Sequence, residues 1–231
     1  MLSQNQDNLL SFAEEPRSQA TFAYEVIRSD ILSGRHAPDT KLKIQLLANE
    51  LNVSPGAVRE ALSRLVPERL VLSRDQRGFV VAPLSVNDLE DLTDLRCEVE
   101  AIALRRSVNN GDVAWEGRIL AAEHCLRSEI HPDSSPRQAW AHNHAMFHAA
   151  LVSACGSPRL LALHASLYEQ SERYRGLTYK TGFSPKRNVD NEHRKIVKKA
   201  LTRDADGLVD AVTSHFKETT RLIIDAFGKN G

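Results

Sequence analysis

The sequence predicts a mainly α protein in two parts. An N-terminal winged helix-turn-helix, with a small β-hairpin wing, precedes an all-α helical bundle of six to seven helices. Three observations predict this. The stretch "KLKIQLLANELNVSPGAVREALSRLVPERL" reads as two short helices joined by a turn of three to four residues. Two β-like runs follow, "LVLS" (70–73) and "GFVV" (78–81), joined by "RDQR" and closed by Pro83. From Ser85 onward, apolar residues recur at helical spacing.

The totals bound the class. Hydrophobic residues make up 42% of the 231 and charged residues 26%, ordinary for a globular protein. No apolar run is long enough to span a membrane. Thirty basic residues balance thirty acidic ones, so contact with nucleic acid must come from a local basic face rather than bulk charge. Cys97, Cys125 and Cys155 are odd in number and widely separated. That argues against a disulfide framework or a cysteine zinc site and for a reducing, cytoplasmic setting.

Residues 1–20 are polar, carry Glu14 and Glu15, and read as a mobile tail rather than a signal or transit peptide. The first module covers 21–84. In its helix pair, Leu46, Leu47 and Leu51 give the first helix an apolar stripe, and Asn52-Val53 turns the chain. Ser54 is placed to cap the second helix, and Pro55 suits its first position, where a missing N–H does no harm. That helix is expected to bury Val58, Ala61, Leu62 and Leu65, leaving Gly56, Arg59, Glu60, Ser63 and Arg64 outside. A pair of this kind enters the DNA major groove by the N-terminus of its second helix. Gly56 keeps that N-terminus uncluttered, and Arg59, one turn in, can reach a phosphate or a guanine edge. Arg74 and Arg77 sit at the tip of the wing, beside the backbone of the duplex.

From Ile31 to Pro83 the chain resembles the winged-helix domain of GntR-type bacterial transcription regulators. The resemblance is carried by "I..G...P...L", by "LA..L.VS...VREAL..L" and by a wing containing "RGF.V". It implies DNA contacts at Arg59 above all, with Gln45, Ser54, Gly56, Arg64, Arg74, Arg77 and Gly78 around it. Gln45 and Pro55 stand where relatives often carry DNA-contacting arginines. Asp39 and Arg69 replace residues that are usually Gly.

The second part, 85–231, reads as helices over 86–108, 112–128, 136–154, 157–179, 189–202 and 205–227. Ser85 and Asp88 form a capping pair for the first, in which Leu89, Leu92, Leu95, Val99, Ile102 and Leu104 repeat at helical spacing. In "AWAHNHAMFHAAL", His144 and His148 share one helix face at a separation that a metal ion can bridge. His193 and His215 lie on two further helices. Spacing alone leaves a metal site and satisfied interior or surface histidines both open.

This part resembles the FCD domain, the ligand-binding half of the FadR-type branch of the same family. Its signature appears here as "HAMFHAAL", "EHRKIVKKALTRD" and "TSHF". The resemblance implies a divalent ion held by His148, His193 and His215, with His144 at the position of the family's Asp. Asn143 points about 100° away on the helix. Four neutral imidazoles favour Zn or Ni, with Co and Cu behind, over Mg or Ca. They leave the ion its full charge, which suits an anionic ligand. A small organic or sugar acid is the implied effector, with Arg96 facing it, although Arg96 could equally pair with Glu100 at i,i+4. Arg173, Tyr174 and Arg175 are candidates for a pocket edge, with a solvated helix face the favoured reading.

These residues point to a DNA-binding repressor. It would act as a homodimer on palindromic half-sites, because one recognition helix makes too few base contacts alone. Two alternatives stay open. A metal-dependent hydrolase could use the histidine cluster, but "HExxH" is absent and Glu192 is expected to project off the face of His193. A metal-free regulator could sense an apolar or acyl ligand.

Overall fold

The computed structural model describes residues 18–74, 78–128, 136–180 and 187–228. Most of the tail expected over 1–20 lies outside them, as does Arg77. The chain divides into two compact units, Met1–Ala82 and Pro83–Gly231.

In the first unit, α1 (Gln19–Leu32) begins where Ser18 Oγ accepts the Thr21 N–H at 3.1 Å, and it buries Ala20, Ala23, Ile27 and Ile31. Next come β1 (Lys41–Leu42), α2 (Ile44–Leu51), α3 (Pro55–Leu65), β2 (Val71–Arg74) and β3 (Gly78–Val81). The sheet is antiparallel in the order β1-β3-β2, with Lys41 opposite Val80 and Leu72 opposite the same residue from the other side. The hairpin was legible as two runs of β-favouring residues. β1 was not, because two residues carry no period; Val81 N–H donating to Thr40 O at 2.9 Å defines it instead.

Asp39 and Arg69 both adopt the left-handed region, at φ 62° and 57°. These are the two positions where the family resemblance favours Gly. The fold keeps the backbone conformation and accepts a side chain there, at about 1–2 kcal/mol of strain each.

In the second unit the described residues form six helices: α4 (Val86–Asn110), α5 (Val113–Ser128), α6 (Pro136–Val152), α7 (Pro158–Lys180), α8 (Val189–Leu201) and α9 (Ala205–Gly228). Ser85 Oγ accepts the Asp88 N–H at 3.1 Å and starts α4. A main apolar cluster gathers Leu104, Trp115, Ile119, Phe147, Leu151, Ile196, Val212 and Phe216. Trp115 is fully buried, and its indole N–H donates to the carbonyls of Ala150 and Leu151 at 3.1 and 3.2 Å.

Three expected core residues are exposed. Leu46 is 53% exposed on α2, and Leu95 and Ile102 are 43% and 49% exposed on α4. For α4 the reason is physical. Its buried face includes Thr93, Arg96, Glu100 and Ser107 beside the apolar residues, so the stripe is centred on a polar interior. Leu95 and Ile102 fall over its edge.

Candidate functional site

The turn between α2 and α3 is three residues long, and Asn52 closes α2 in the left-handed region at φ 54°. Ser54 Oγ then accepts the Ala57 N–H at 3.2 Å, and Pro55 occupies the first helical position. Val58, Ala61, Leu62 and Leu65 are fully buried, while Ser54, Gly56, Arg59, Glu60, Ser63 and Arg64 are exposed. A Cβ added at Gly56 would meet only Ser54 Oγ, at 3.9 Å, so packing within the chain does not require a glycine there. Arg64 is engaged inside the unit, its guanidinium 4.2 Å over the ring of Tyr24. Gln45 and Arg74 are exposed. Gly78 opens β3 at φ 78°, a conformation that favours glycine.

The second unit brings the four named histidines together. His144 and His148 lie one turn apart on α6, with their Nε2 atoms 3.2 Å from each other. His193 comes from α8 and His215 from α9, with ring centres 5.0 Å apart. All four are buried, and one ring nitrogen of each lies within 4.8 Å of the others. A tetrahedral zinc shell places its donors about 3.4 Å apart, so side-chain shifts of about 1 Å would close the set. Nε2 of His193 and Nε2 of His215 are buried without a hydrogen-bond partner, as orphaned donor atoms awaiting a cation would be. The residues therefore fit a divalent ion.

Burial holds the four rings neutral. It drives His144 and His148 well below the usual histidine range, helped at His144 by the charge of Arg175. His193 is pushed to about 3, by burial first and by His215 next. His215 is lowered for the same first reason, against the pull of Glu192. A neutral imidazole is the form that binds metal.

Two matches to known protein families decide the identity. The family model described as "Bacterial regulatory proteins, gntR family" matches residues 19–81, and the "FCD domain" model matches residues 91–218. The chain belongs to the GntR family. It is a member with an FCD domain and a transcriptional regulator, not an enzyme.

Its relatives agree. The HTH-type transcriptional regulator BphR of Paraburkholderia xenovorans is 38% identical over 92% of this chain and 87% of that protein. The HTH-type transcriptional repressor GlaR of Escherichia coli is 32% identical over 90% of this chain and 96% of that one. The solved structure of E. coli McbR/YncC superposes with a TM-score of 0.75 over 92% of this chain and all of that one. At 17% identity this likeness carries the fold alone.

Within the FCD domain, several residues around the histidines escaped the sequence reading or contradict it. Glu192, expected to project off the face of His193, reaches a different histidine of the cluster: it accepts from His215 Nδ1–H at 2.8 Å. Burial alone would raise its carboxyl, but hydrogen bonds from His215 and Arg187 hold it at about 2. Arg187 in turn donates to both Glu192 oxygens and, at 2.9 Å, to the His215 carbonyl. The solvated-face reading of 173–175 also fails. Arg173, Tyr174 and Arg175 are all buried, and Arg175 Nη1 lies 3.0 Å from His144 Nδ1. Tyr174 instead bonds Asp88 near the start of α4. Tyr168, which no motif marked, places its hydroxyl 2.7 Å from His144 Nδ1.

Arg96 is buried, its guanidinium 4.0 Å over the ring of Phe216 and 5.5 Å from the ring centre of Tyr168. Glu100, the alternative partner, bonds His164 Nδ1 at 2.8 Å, and Arg96 Nη2 has no hydrogen-bond partner. Asn143 donates to the Cys125 carbonyl at 3.1 Å and is turned away from the histidines. Period and motif could name the histidines because they repeat along helices. The supporting Tyr168, Arg175 and Arg187 become neighbours only when α6 to α9 pack.

Proposed function

We propose that this GntR-family regulator is a repressor whose FCD domain holds one divalent ion, Zn or Ni, and responds to a small organic or sugar acid. His144, His148, His193 and His215 would be the ligands. The convergence of four buried ring nitrogens within 4.8 Å, two of them without partners, carries the reading. The ion would supply positive charge and, with a coordination number above four, a position beyond the four imidazoles for a carboxylate. Glu192 would hold the orientation of His215, and Arg96 would anchor the acid. A polar, cation-rich interior of this kind disfavours an apolar or acyl ligand.

DNA would be read by α3. Arg59 would reach into the major groove beside the open N-terminus at Gly56, with Ser54, Gln45, Arg64, Arg74, Arg77 and Gly78 around it. A homodimer would present two such helices to palindromic half-sites. The acid would change operator affinity only so far as it binds the two conformational states unequally.

Elemental analysis of dialysed protein beside His148→Ala tests the ion. One Zn or Ni per chain, lost in the variant, is the expected result. Equal content in the two proteins would place the ion elsewhere, and none in either would end the metal reading.

A further inference from the structure

Polar contacts join α4 and α7 along their shared length. Asp88 meets Tyr174, Arg96 lies 5.5 Å from the ring centre of Tyr168, and Glu100 accepts from His164 Nδ1–H at 2.8 Å. Positions rise along α4 as they fall along α7, so the two helices run in opposite directions. The same α7 touches the histidine cluster. Nδ1 of His144 has the Tyr168 hydroxyl at 2.7 Å and Arg175 Nη1 at 3.0 Å, and Arg175 is also held by Glu172 at 2.9 Å. Tyr168 and Arg175 are about two turns apart and share a face of α7, whereas Tyr174 falls about 100° round from Arg175 and reaches α4.

What Tyr174 grips is the cap of α4. Its hydroxyl donates to Asp88 Oδ2 and accepts the Ser85 N–H at 3.5 Å. Ser85 in turn starts the helix, its Oγ accepting from Asp88 N–H at 3.1 Å and its carbonyl from Leu89 N–H at 3.0 Å. Burial, and then the bond to Asp88, push the Tyr174 phenol well above its usual range, so it remains a donor. Its ring is buried with Leu89, Leu92 and Leu167. Ser85 stands three positions after Ala82, the last residue of the first unit.

The cluster cannot close on an ion without moving His144. The donor atoms lie within 4.8 Å of one another, and a tetrahedral set needs shifts of about 1 Å. Such a shift displaces the nitrogen on which Tyr168 and Arg175 converge. A close-packed interior passes the displacement to the helix that carries them. We infer that Tyr174 is a positioning residue that couples the histidine cluster to the cap of α4, where the chain leaves the DNA-binding unit. The inference rests on the metal reading above.

Its test is hydrogen exchange of the full chain with and without zinc, read at the amides of Asp88 and Leu89. Competition with a chelator measures zinc affinity separately. In the wild type, zinc should change exchange at these amides by at least roughly fivefold. Tyr174→Phe should bind zinc within about twofold of the wild type yet cut that response below about twofold. Asp88→Asn, which keeps an oxygen acceptor, should retain most of the response, and Asp88→Ala should lose it.

A full zinc response in Tyr174→Phe would overturn the inference, even with faster exchange throughout, because a merely structural bond shifts both states alike. A wild type that binds zinc with no change at these amides would also overturn it, while leaving the metal reading intact. Failure of the wild type to bind zinc would remove the metal reading, and the coupling with it.

Discussion

Glu192 on α8 accepts a hydrogen bond from the Nδ1–H of His215 on α9 at 2.8 Å, leaving Nε2 of that histidine buried beside the other three rings. The carboxylate thus chooses the tautomer and the facing of a ring one helix away, while its sequence neighbour His193 presents its own ring to the same centre. A carboxylate behind a histidine in this way both orients it and makes it a stronger donor.

Glu192→Gln should therefore weaken zinc binding by about 10–100-fold without removing a ligand. Competition with a chelating dye measures it. An unchanged affinity would reduce the Glu192–His215 contact to a packing feature.

The metal-free protein should lose stability as pH falls. His193 has a folded pKa of about 3 against 6.5 in the unfolded chain, so below 6.5 the unfolded state takes up the proton and the folded state does not. Its contribution is intact above pH 6.5 and is lost progressively as pH drops toward 3. At pH 5 the loss from His193 alone is about 2 kcal/mol. Urea unfolding at pH 7 and pH 5, with His193→Gln for comparison, should show a smaller pH effect in the variant.

Arg59→Ala should cost about 1–3 kcal/mol of specific operator affinity. Because Arg59 is exposed, the thermal midpoint should stay where it is. Fluorescence anisotropy on a DNA fragment selected for binding reads the first, and a melting curve the second. Unchanged affinity would remove Arg59 from the interface.

Gly111 ends α4 against Trp115. A Cβ there would lie 2.4 Å from Trp115 Cε3 and 2.7 Å from the Ser107 carbonyl oxygen. Gly111→Ala should destabilise the protein by about 1–3 kcal/mol through overpacking. Denaturant midpoints would check it, since the fully buried indole has nowhere to shift without giving up its bonds to Ala150 and Leu151.

Arg69→Gly should stabilise by about 1 kcal/mol, because the backbone at φ 57° suits Gly better than Arg. The same unfolding measurement applies. A loss of stability would show that contacts of the Arg69 side chain outweigh the strain.

The sequence by itself determined the elements and the ligand candidates. Ser54, Pro55 and the spacing of Val58, Ala61, Leu62 and Leu65 specify α3 and its outward face, because capping and periodicity are local. The pair His144 and His148 is equally local, set by one helical turn. Tertiary structure decided what surrounds them. Periodicity assigned Leu95 and Ile102 to the core, but the buried face of α4 turned out to be centred on Arg96 and Glu100. Glu192, placed off the face of His193 by helix geometry, became the partner of a residue twenty-three positions on. Arg175, read as solvated, came to rest against His144. These relationships depend on which helices pack and at what rotation, and a one-dimensional pattern holds only the angle of each side chain about its own axis.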